Sequence, residues 1–169
     1  GLGAPGGDRP PAPGLVGLTE FHLLTFDAGN PVLIISDDPC RIGQQEKLDP
    51  FLLLDYHPTR EYSPSERPRG VGVHPHRGFE TVTLAWQGSV AHHDSTGAGG
   101  VIGPGDVQWM TAASGILHKE YHEASWARRG GPFQMAQLWV NLPKAHKMDS
   151  PGYQALVAGQ MGQVMLPAE

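Results

Sequence analysis

The sequence has little of several features, and each shortage excludes a class of protein. Cys40 is the only cysteine among 169 residues, so an internal disulfide framework and a thiolate metal cluster are both excluded, and a reducing cytoplasm is the expected location. The formal net charge of −5 argues against direct nucleic-acid binding, since a nucleic-acid groove normally needs a basic face. No apolar run approaches the roughly 18 residues that a membrane helix requires, so no membrane association is expected.

Glycine and proline, in contrast, are abundant. The 23 glycines and 16 prolines divide the chain into short segments rich in valine, leucine, threonine and aromatic residues, a rhythm typical of an all-β sandwich or barrel. Strands are predicted at Phe21–Phe26, Val32–Ser36, Val73–Trp86, Ser89–Asp94, Val107–Ala112 and Phe133–Asn141. The apolar run Asp49–Asp55 fits a strand or a short helix equally well, and the proline-rich stretch 57–72 is predicted to be a loop.

Composition divides the chain into three parts. Residues 1–17 are rich in glycine and proline and are expected to form a flexible tail. Residues 18–143 hold the predicted strands and have the size of one ordinary domain. Residues 144–169 begin with a polar, loop-like stretch and are too short for a domain, so they are expected to be a C-terminal linker or a partial segment.

Two pairs of metal-binding residue types carry the chemistry. His74 and His76 are separated by one residue in a strand-like segment, and His118 and Glu120 repeat this spacing. Side chains alternate between the two faces of a strand, so each pair projects from one face, with its Cα atoms roughly 7 Å apart. A single His-x-His pair is weak evidence, because two surface histidines would give the same pattern. The second pair makes coincidence much less plausible, and together the pairs predict a metal site.

The donor set indicates the kind of metal. Three imidazoles and one carboxylate form a mixed nitrogen and oxygen site of intermediate softness. Such a site suits Fe(II), with Mn, Ni, Cu or Zn as chemically tolerable substitutes. Ligands gathered in one hemisphere leave one or two positions open for water, oxygen or a chelating substrate.

Several blocks of the sequence resemble the signature of the pirin family. They are HPHRGFETVT (74–83), PGDVQWMTA (104–112), GILHKE (115–120), QLWVNLP (137–143) and, upstream, DPFLLLDY (49–56). The resemblance implies a cupin-type (jelly-roll) antiparallel β-barrel that holds an iron ion on three histidines and a glutamate. It also implies a quercetin 2,3-dioxygenase type of activity in several members and a co-regulator role in others. Pirin-family proteins usually carry a second cupin domain, and the resemblance covers only the first of the two, so this sequence is expected to be either a fragment or a short single-domain relative.

The resemblance also assigns the ligands by position. They fall on His74, His76, His118 and Glu120. The wider cupin pattern instead makes the glutamate after the His-x-His pair a ligand, and Glu80 stands there, on the same face as His76 if the strand is regular. The pirin resemblance favours Glu120, which leaves Glu80 to orient a ligand or to take part in a salt bridge.

Other residues have less specific patterns. One of His92 and His93 must face inward by strand alternation; it either supports the pocket or, more simply, makes a turn-stabilising hydrogen bond. Asp94 is expected to shape the following turn through side-chain to backbone bonds. Solvent exposure is predicted for three further histidines in polar segments, His57, His122 and His146. Core or pocket-wall positions are predicted for Phe79, Trp109, Met110 and Trp139.

Three functions fit such a site. The first, which the resemblance favours, is a metal-dependent dioxygenase that opens a flavonol-like aromatic substrate with O2, with Glu120 accepting the proton of a substrate hydroxyl as general base. The alternative is an iron-dependent redox-sensing module or transcriptional co-regulator without turnover, which would act on a protein partner. The third is a structural metal in a barrel without turnover. Oxygen consumption with quercetin separates the first function from the others.

Overall fold

A computed structural model describes the backbone of residues 22–25 and 31–35 and, in full, residues 49–162 and 164. The described strands are β1 His22–Thr25, β2 Pro31–Ile35, β3 Phe51–Tyr62, β4 Gly70–His76, β5 Phe79–Gln87, β6 Val90–Asp94, β7 Gly99–Ile102, β8 Val107–Thr111, β9 Ile116–His122, β10 Gly131–Asn141 and β11 Gly152–Leu156. Helix α1 is Ala124–Arg129, and two 3-10 turns occupy Lys144–His146 and Ala158–Gln160. The predicted tail and Cys40 lie outside the described residues.

Two antiparallel sheets enclose the interior. The larger sheet has the strand order β1-β2-β3-β10-β5-β8-β11, and the smaller has the order β4-β9-β6-β7. Every pair of neighbouring strands is antiparallel. The prediction of an all-β antiparallel fold is therefore confirmed. In the described ranges, no helix is long and apolar enough to cross a membrane.

Strand β3 is longer than the sequence predicts. The apolar run that fitted strand and helix equally well begins this strand, which then continues to Tyr62 and covers part of the stretch 57–72 that was predicted to be a loop. Pro58 is accommodated because the register of β3 against β10 shifts beside it, between His57 and Arg60. Such a bulge leaves a residue outside the hydrogen-bond ladder, and proline fits there because it has no N–H to donate.

The segment Val73–Trp86, predicted as one strand, is two strands in different sheets. Strand β4 ends at His76 in the smaller sheet, and β5 begins at Phe79 in the larger one. Between them, Gly78 has a φ of +80°, a left-handed conformation that glycine adopts without a Cβ clash. Alternation continues on both sides of this turn, so a period-2 pattern does not reveal the break.

The C-terminal segment contributes to the fold. Strand β11 lies within residues 144–169, the stretch expected to be a linker or partial segment, and it pairs with β8 from Gly152↔Thr111 to Leu156↔Val107. Tyr153 of this strand packs against the buried cluster of Met110, Ala112 and Ile116. The larger sheet therefore depends on residues beyond 143.

The interior is apolar at one end and polar near its centre. Ala85, Val90, Ile102, Trp126 and Phe133 form the larger apolar cluster. Fully buried polar side chains also project from the larger sheet, and they are Thr81, Thr83 and Gln108. Buried polar groups are costly unless they find partners, so this polar zone locates the functional part of the interior.

Candidate metal centre

Strands β4 and β9 position the predicted ligands. They pair antiparallel in a register that sets His74 directly opposite His118. His76 lies two residues from His74 on β4, and Glu120 lies two residues from His118 on β9, so strand parity turns each pair toward the same face. That face looks into the space between the two sheets.

Three of the predicted ligands meet at one point. The ring centroids are 4.3 Å apart for His74 and His118, 4.7 Å for His76 and His118 and 4.8 Å for His74 and His76. One ring nitrogen of each histidine lies within 4.8 Å of the others. A zinc or similar ion bonds imidazole nitrogen at about 2.0–2.1 Å, so small ring rotations bring all three nitrogens onto one ion.

The free nitrogens of these rings fit a metal. His74 Nδ1 lies 2.7 Å from the Gly72 carbonyl oxygen, so this nitrogen donates its N–H and leaves Nε2 bare. His118 Nε2 is buried without a hydrogen-bond partner. A buried polar atom without a partner is costly, and a metal ion accounts for that position. The residues present therefore fit a bound ion.

Two of the three histidines, His76 and His118, are already in the protonation state that a metal requires. Burial, and then the charge of His74, lowers the pKa of His76 to about 4. Burial lowers the pKa of His118 to about 3, with smaller contributions from His74, His76 and His92. At pH 7 both rings are neutral, and neutral imidazole is the form that coordinates metals.

Glu120 lies beside this trio and is held by two amides. Its Oε1 accepts a hydrogen bond from Gln108 Nε2 at 2.5 Å, and its Oε2 accepts one from Gln137 Nε2 at 3.0 Å. A carboxylate oxygen of Glu120 lies within 4.8 Å of ring nitrogens of both His118 and His92, which makes a second group of candidate ligands. The structure thus brings His74, His76 and His118 together and places Glu120 next to His118.

The two glutamines were not predicted from the sequence. They come from the larger sheet, Gln108 from β8 and Gln137 from β10, and cross the interior to reach β9 of the smaller sheet. Gln137 is fixed in turn, because its Oε1 accepts from Trp139 Nε1 at 2.9 Å and its Nε2 lies 3.1 Å from Thr83 Oγ1. The only sequence signal was a glutamine inside an apolar strand, which requires a buried partner.

Glu80 does not join the candidate ligands. Its Oε1 accepts a hydrogen bond from Thr111 Oγ1 at 2.6 Å, and the fully buried Thr81 takes the inward position beside it on β5. The expectation that Glu80 shares a face with His76 required a regular strand, and the turn at Gly78 breaks that strand.

The remaining histidines divide between the interior and the surface. His92 faces inward and is buried, whereas His93 is exposed, as strand alternation requires. Asp94 shapes the following turn, since its Oδ1 accepts from the Thr96 backbone N–H at 2.8 Å. The prediction of solvent exposure is wrong for His122, which is 8% exposed. It holds for His146, which lies on the surface with its Nδ1 2.8 Å from Asp149 Oδ2.

His122 and His57 were misplaced because both belong to strands. His122 ends β9 and packs edge-on against Tyr62, with ring centroids 4.8 Å apart. His57 lies in β3, partly buried, with its Nε2 3.4 Å from Asp55 Oδ2. The polar residues around each of these histidines led to the prediction of a solvent-exposed loop instead of a strand.

A cavity of about 700 Å³ opens beside the trio. Phe79 and Trp139 form part of its wall and stack on each other, with ring centroids 4.7 Å apart. Both also pack against the His76 ring in T-shaped contacts, with centroids 5.1 Å from its centroid. The polar part of the lining includes Asp55, His57 and Arg69. The cavity therefore joins a set of metal-binding groups to an aromatic wall.

Comparison with known proteins agrees with this geometry. The family model described as pirin matches residues 35–140. The chain belongs to the pirin family. The resemblance stated from the sequence blocks is therefore confirmed.

Individual relatives support the same assignment. A Pseudomonas aeruginosa protein that is named provisionally as a quercetin 2,3-dioxygenase is 60% identical over 126 residues, which are 75% of this chain and 43% of that protein. Human pirin is 48% identical over 118 residues, which are 68% of this chain and 37% of human pirin. The crystal structure of a quercetin 2,3-dioxygenase from Acinetobacter baumannii matches with a TM-score of 0.73 and 52% identity, over 82% of this chain and 47% of that one.

These matches confirm the cupin-type fold and define its extent. The pirin chain described here spans less than half the length of each of these three relatives. What a full-length relative does is therefore carried over only as a proposal.

Proposed function

We propose that this pirin domain binds one Fe(II) ion on His74, His76, His118 and Glu120 and supplies the metal centre of a dioxygenase that opens flavonol-like aromatic substrates with O2. One observation carries the proposal: three inward imidazoles, one with a buried and unpartnered Nε2, converge at the wall of a cavity of about 700 Å³. The provisional name of the Pseudomonas relative and the name of the Acinetobacter structure support it.

The donor set supports the choice of metal. Imidazole nitrogens with a carboxylate oxygen suit Fe(II), and Mn, Ni, Cu or Zn would also be accepted. When bound, such an ion supplies a Lewis acid that lowers the pKa of a coordinated hydroxyl, together with redox chemistry toward oxygen. The bond from His74 Nδ1 to the Gly72 carbonyl orients that ring for the ion, as hydrogen bonds to the far nitrogen of metal-binding histidines do.

Glu120 is the proposed proton acceptor. Its carboxylate lies next to His118 and is fixed at both oxygens by Gln108 and Gln137. A base must reach the proton that it removes, and Glu120 also lines the cavity. The two amides hold the carboxylate in place before the substrate arrives, so little ordering is required during the proton transfer.

The cavity wall supports a flat aromatic substrate. Phe79 and Trp139 present aromatic surface next to His76, and a ring stacked there would lie beside the ion. Asp55 and His57 supply a carboxylate and an imidazole elsewhere in the same lining, which suit hydroxyl groups at the far end of a polyphenol. Apolar walls with a few polar groups are the usual composition of a small-molecule site.

The test is stoichiometric. Protein reconstituted with Fe(II) is mixed with quercetin, and O2 uptake and carbon monoxide release are measured together. We expect uptake that depends on metal and is matched by carbon monoxide. Metal-loaded, folded protein that consumes no O2 with quercetin or related flavonols would contradict the enzymatic proposal while leaving the metal site in place.

A second function, a redox-sensing interaction module with a protein partner, is favoured by the outer surface of the ligand strands. Val73 of β4 is 67% exposed, and Leu117 of β9 is 48% exposed. These apolar residues alternate with the candidate ligands on the same two strands. A change of iron oxidation state would thus act on strands that also present an apolar surface. Hydrogen exchange in β4 and β9, compared between Fe(II) and Fe(III) protein, tests this; identical protection would contradict it.

A further inference from the structure

We propose that Asp94 and His92 are positioning residues that fix the proton of His118 on Nδ1 and so keep His118 Nε2 bare for the metal. The proposal deepens the metal-binding part of the proposed function and rests on it. It concerns two buried residues of β6, the strand that pairs with the ligand strand β9 on the side away from β4, and not the ligands themselves; Asp94, His92 and His118 are called the relay below.

The three side chains form a continuous chain of contacts. Asp94 Oδ2 lies 3.0 Å from His92 Nε2, and His92 Nδ1 lies 3.3 Å from His118 Nδ1. The side chains of His92 and Asp94 are both fully buried. Strand register produces this arrangement, because Asp94 is the partner of His118 across β6 and β9, and His92 shares the inward face of β6.

Asp94 is anchored as an acceptor. Its Oδ1 accepts from the Thr96 backbone N–H at 2.8 Å, from the Thr96 hydroxyl at 2.7 Å and from the Ala98 backbone N–H at 3.2 Å. Three donors therefore occupy one oxygen, and Oδ2 is left for His92. An ionised carboxylate has no proton to donate, so the proton in the Asp94–His92 bond belongs to His92 Nε2.

The proton positions follow along the chain. A neutral His92 with its proton on Nε2 has a bare Nδ1, which can only accept. The contact at 3.3 Å then requires that His118 Nδ1 carries the proton and donates it. A neutral His118 with its proton on Nδ1 has a bare Nε2, and Nε2 is the buried nitrogen without a partner. The relay therefore selects the tautomer that a metal needs.

A second contact keeps His92 in place. Its ring stacks on Tyr153, with centroids 4.7 Å apart and planes inclined by 8°. Tyr153 belongs to β11 and lies with its hydroxyl 3.4 Å from Gln108 Oε1. The C-terminal strand thus supports both the His92 ring and the amide that holds Glu120.

Asp94→Asn separates this role from simple turn formation. The new amide oxygen can keep the three bonds of the turn, which places the amide NH2 group against His92 Nε2. His92 must then accept at Nε2 and carry its proton on Nδ1, which forces the proton of His118 onto Nε2. An Asp→Asn change beside a histidine is known to preserve geometry while selecting the wrong tautomer.

The decisive measurement is the tautomer of His118 in the metal-free protein, taken from the 15N chemical shifts of labelled histidine. We expect a protonated Nδ1 and a bare Nε2 in the unmodified chain, and the reverse in Asp94→Asn. A protonated Nε2 in the unmodified chain would overturn the proposal without any variant. Because no metal or substrate is involved, this result stands apart from the success of the dioxygenase proposal.

Ni(II) affinity, measured by calorimetry, supplies the second readout. Loss of a group that orients a ligand typically costs 10- to 100-fold in metal affinity, so we expect a fall of about that size in Asp94→Asn. His92→Phe, which retains an aromatic ring against Tyr153 but has no acceptor, should also lose affinity. His93→Gln, on the exposed side of the same strand, is the matched control and should bind normally. Folded Asp94→Asn protein with unchanged tautomer and unchanged affinity would refute the relay and leave Asp94 a turn residue.

Discussion

His74 and His118 lie directly opposite each other on β4 and β9, with their ring centroids 4.3 Å apart. Two properties of the smaller sheet produce this contact. Strand parity turns both rings toward the interior, and the antiparallel register brings them level. Residues directly opposed in antiparallel strands have Cα atoms about 4.5–5.5 Å apart, so the rings are in contact before any metal binds.

The first prediction concerns metal content. His118→Ala should abolish tight Fe(II) or Ni(II) binding, because it removes a ligand, and that loss should exceed the roughly 10- to 100-fold cost of losing an orienting partner. His146→Ala is the control, since this exposed histidine lies on the surface with its Nδ1 2.8 Å from Asp149 Oδ2, and the variant should bind metal normally. Competition with a chelating dye measures both. Equal affinities in the two variants would refute the assignment of His118.

The second prediction concerns the turn between the sheets. Gly78→Ala should lower the free energy of unfolding by about 1–2 kcal/mol, because a Cβ at this left-handed position is strained, even though its nearest neighbour, Lys147 Nζ, would be 3.6 Å away. Gly159→Ala is the matched control, since a Cβ there meets nothing within 4 Å. Urea unfolding measures both variants. A Gly78→Ala protein as stable as the control would show that the turn relaxes without cost.

The third prediction concerns the cap of helix α1. Glu123 accepts hydrogen bonds from the backbone N–H groups of Ser125 and Trp126. The Ser125 hydroxyl, followed by these two N–H groups, lowers the pKa of Glu123 to about 2. A carboxyl whose pKa is lowered by folding stabilises the fold fully when the pH is above its pKa in the unfolded chain, about 4.5 for Glu123. This stabilisation is lost as the pH falls toward the folded-state pKa of about 2.

Glu123→Ala should therefore cost roughly 0.5–1 kcal/mol at pH 7, the lower part of the range for helix caps, because solvent screens this largely exposed group. The difference in unfolding free energy between the unmodified chain and the variant should shrink between pH 4.5 and pH 2. Other carboxyl groups titrate in the same range, but they cancel in the difference. A gap that stays constant across this window would contradict the assigned pKa.

The shared face within each pair of ligands could be predicted because it depends only on strand parity, whereas the meeting of the two pairs depends on the register of β4 against β9 and was expected from the family resemblance. His74 and His76 share a face by parity, and so do His118 and Glu120. The position of Glu80 could not be predicted, because a single glycine turn moves the chain from one sheet to the other while the alternation continues. The bonds from Gln108 and Gln137 to Glu120 were also invisible in the sequence, because they connect strands of different sheets and depend on how the sheets face each other.

The last prediction concerns Glu120, on which the proposed chemistry depends. Glu120→Gln keeps the size of the side chain but removes its charge and basicity. It also turns an NH2 group toward one of the two amide donors, Gln108 or Gln137, that now bond its oxygens. Metal affinity should fall, while some binding survives on the three histidines. Flavonol oxidation should fall more steeply than metal content, since loss of a general base typically costs about 100-fold or more, which corresponds to roughly 2.7 kcal/mol of barrier at 1.36 kcal/mol for each factor of ten.

The measurement is turnover per bound metal in Glu120→Gln beside Glu80→Gln. Glu80 is the matched control. It is a carboxyl on β5, its Oε1 accepts a hydrogen bond from Thr111 Oγ1, and the amide oxygen of glutamine can accept the same bond. Glu80→Gln should therefore keep both metal and turnover. If the Glu80 variant loses turnover instead, the general cupin assignment holds, and Glu80 rather than Glu120 is the base. If turnover per metal is unchanged in both variants, neither carboxylate is the base, and the redox-sensing function of the centre gains support.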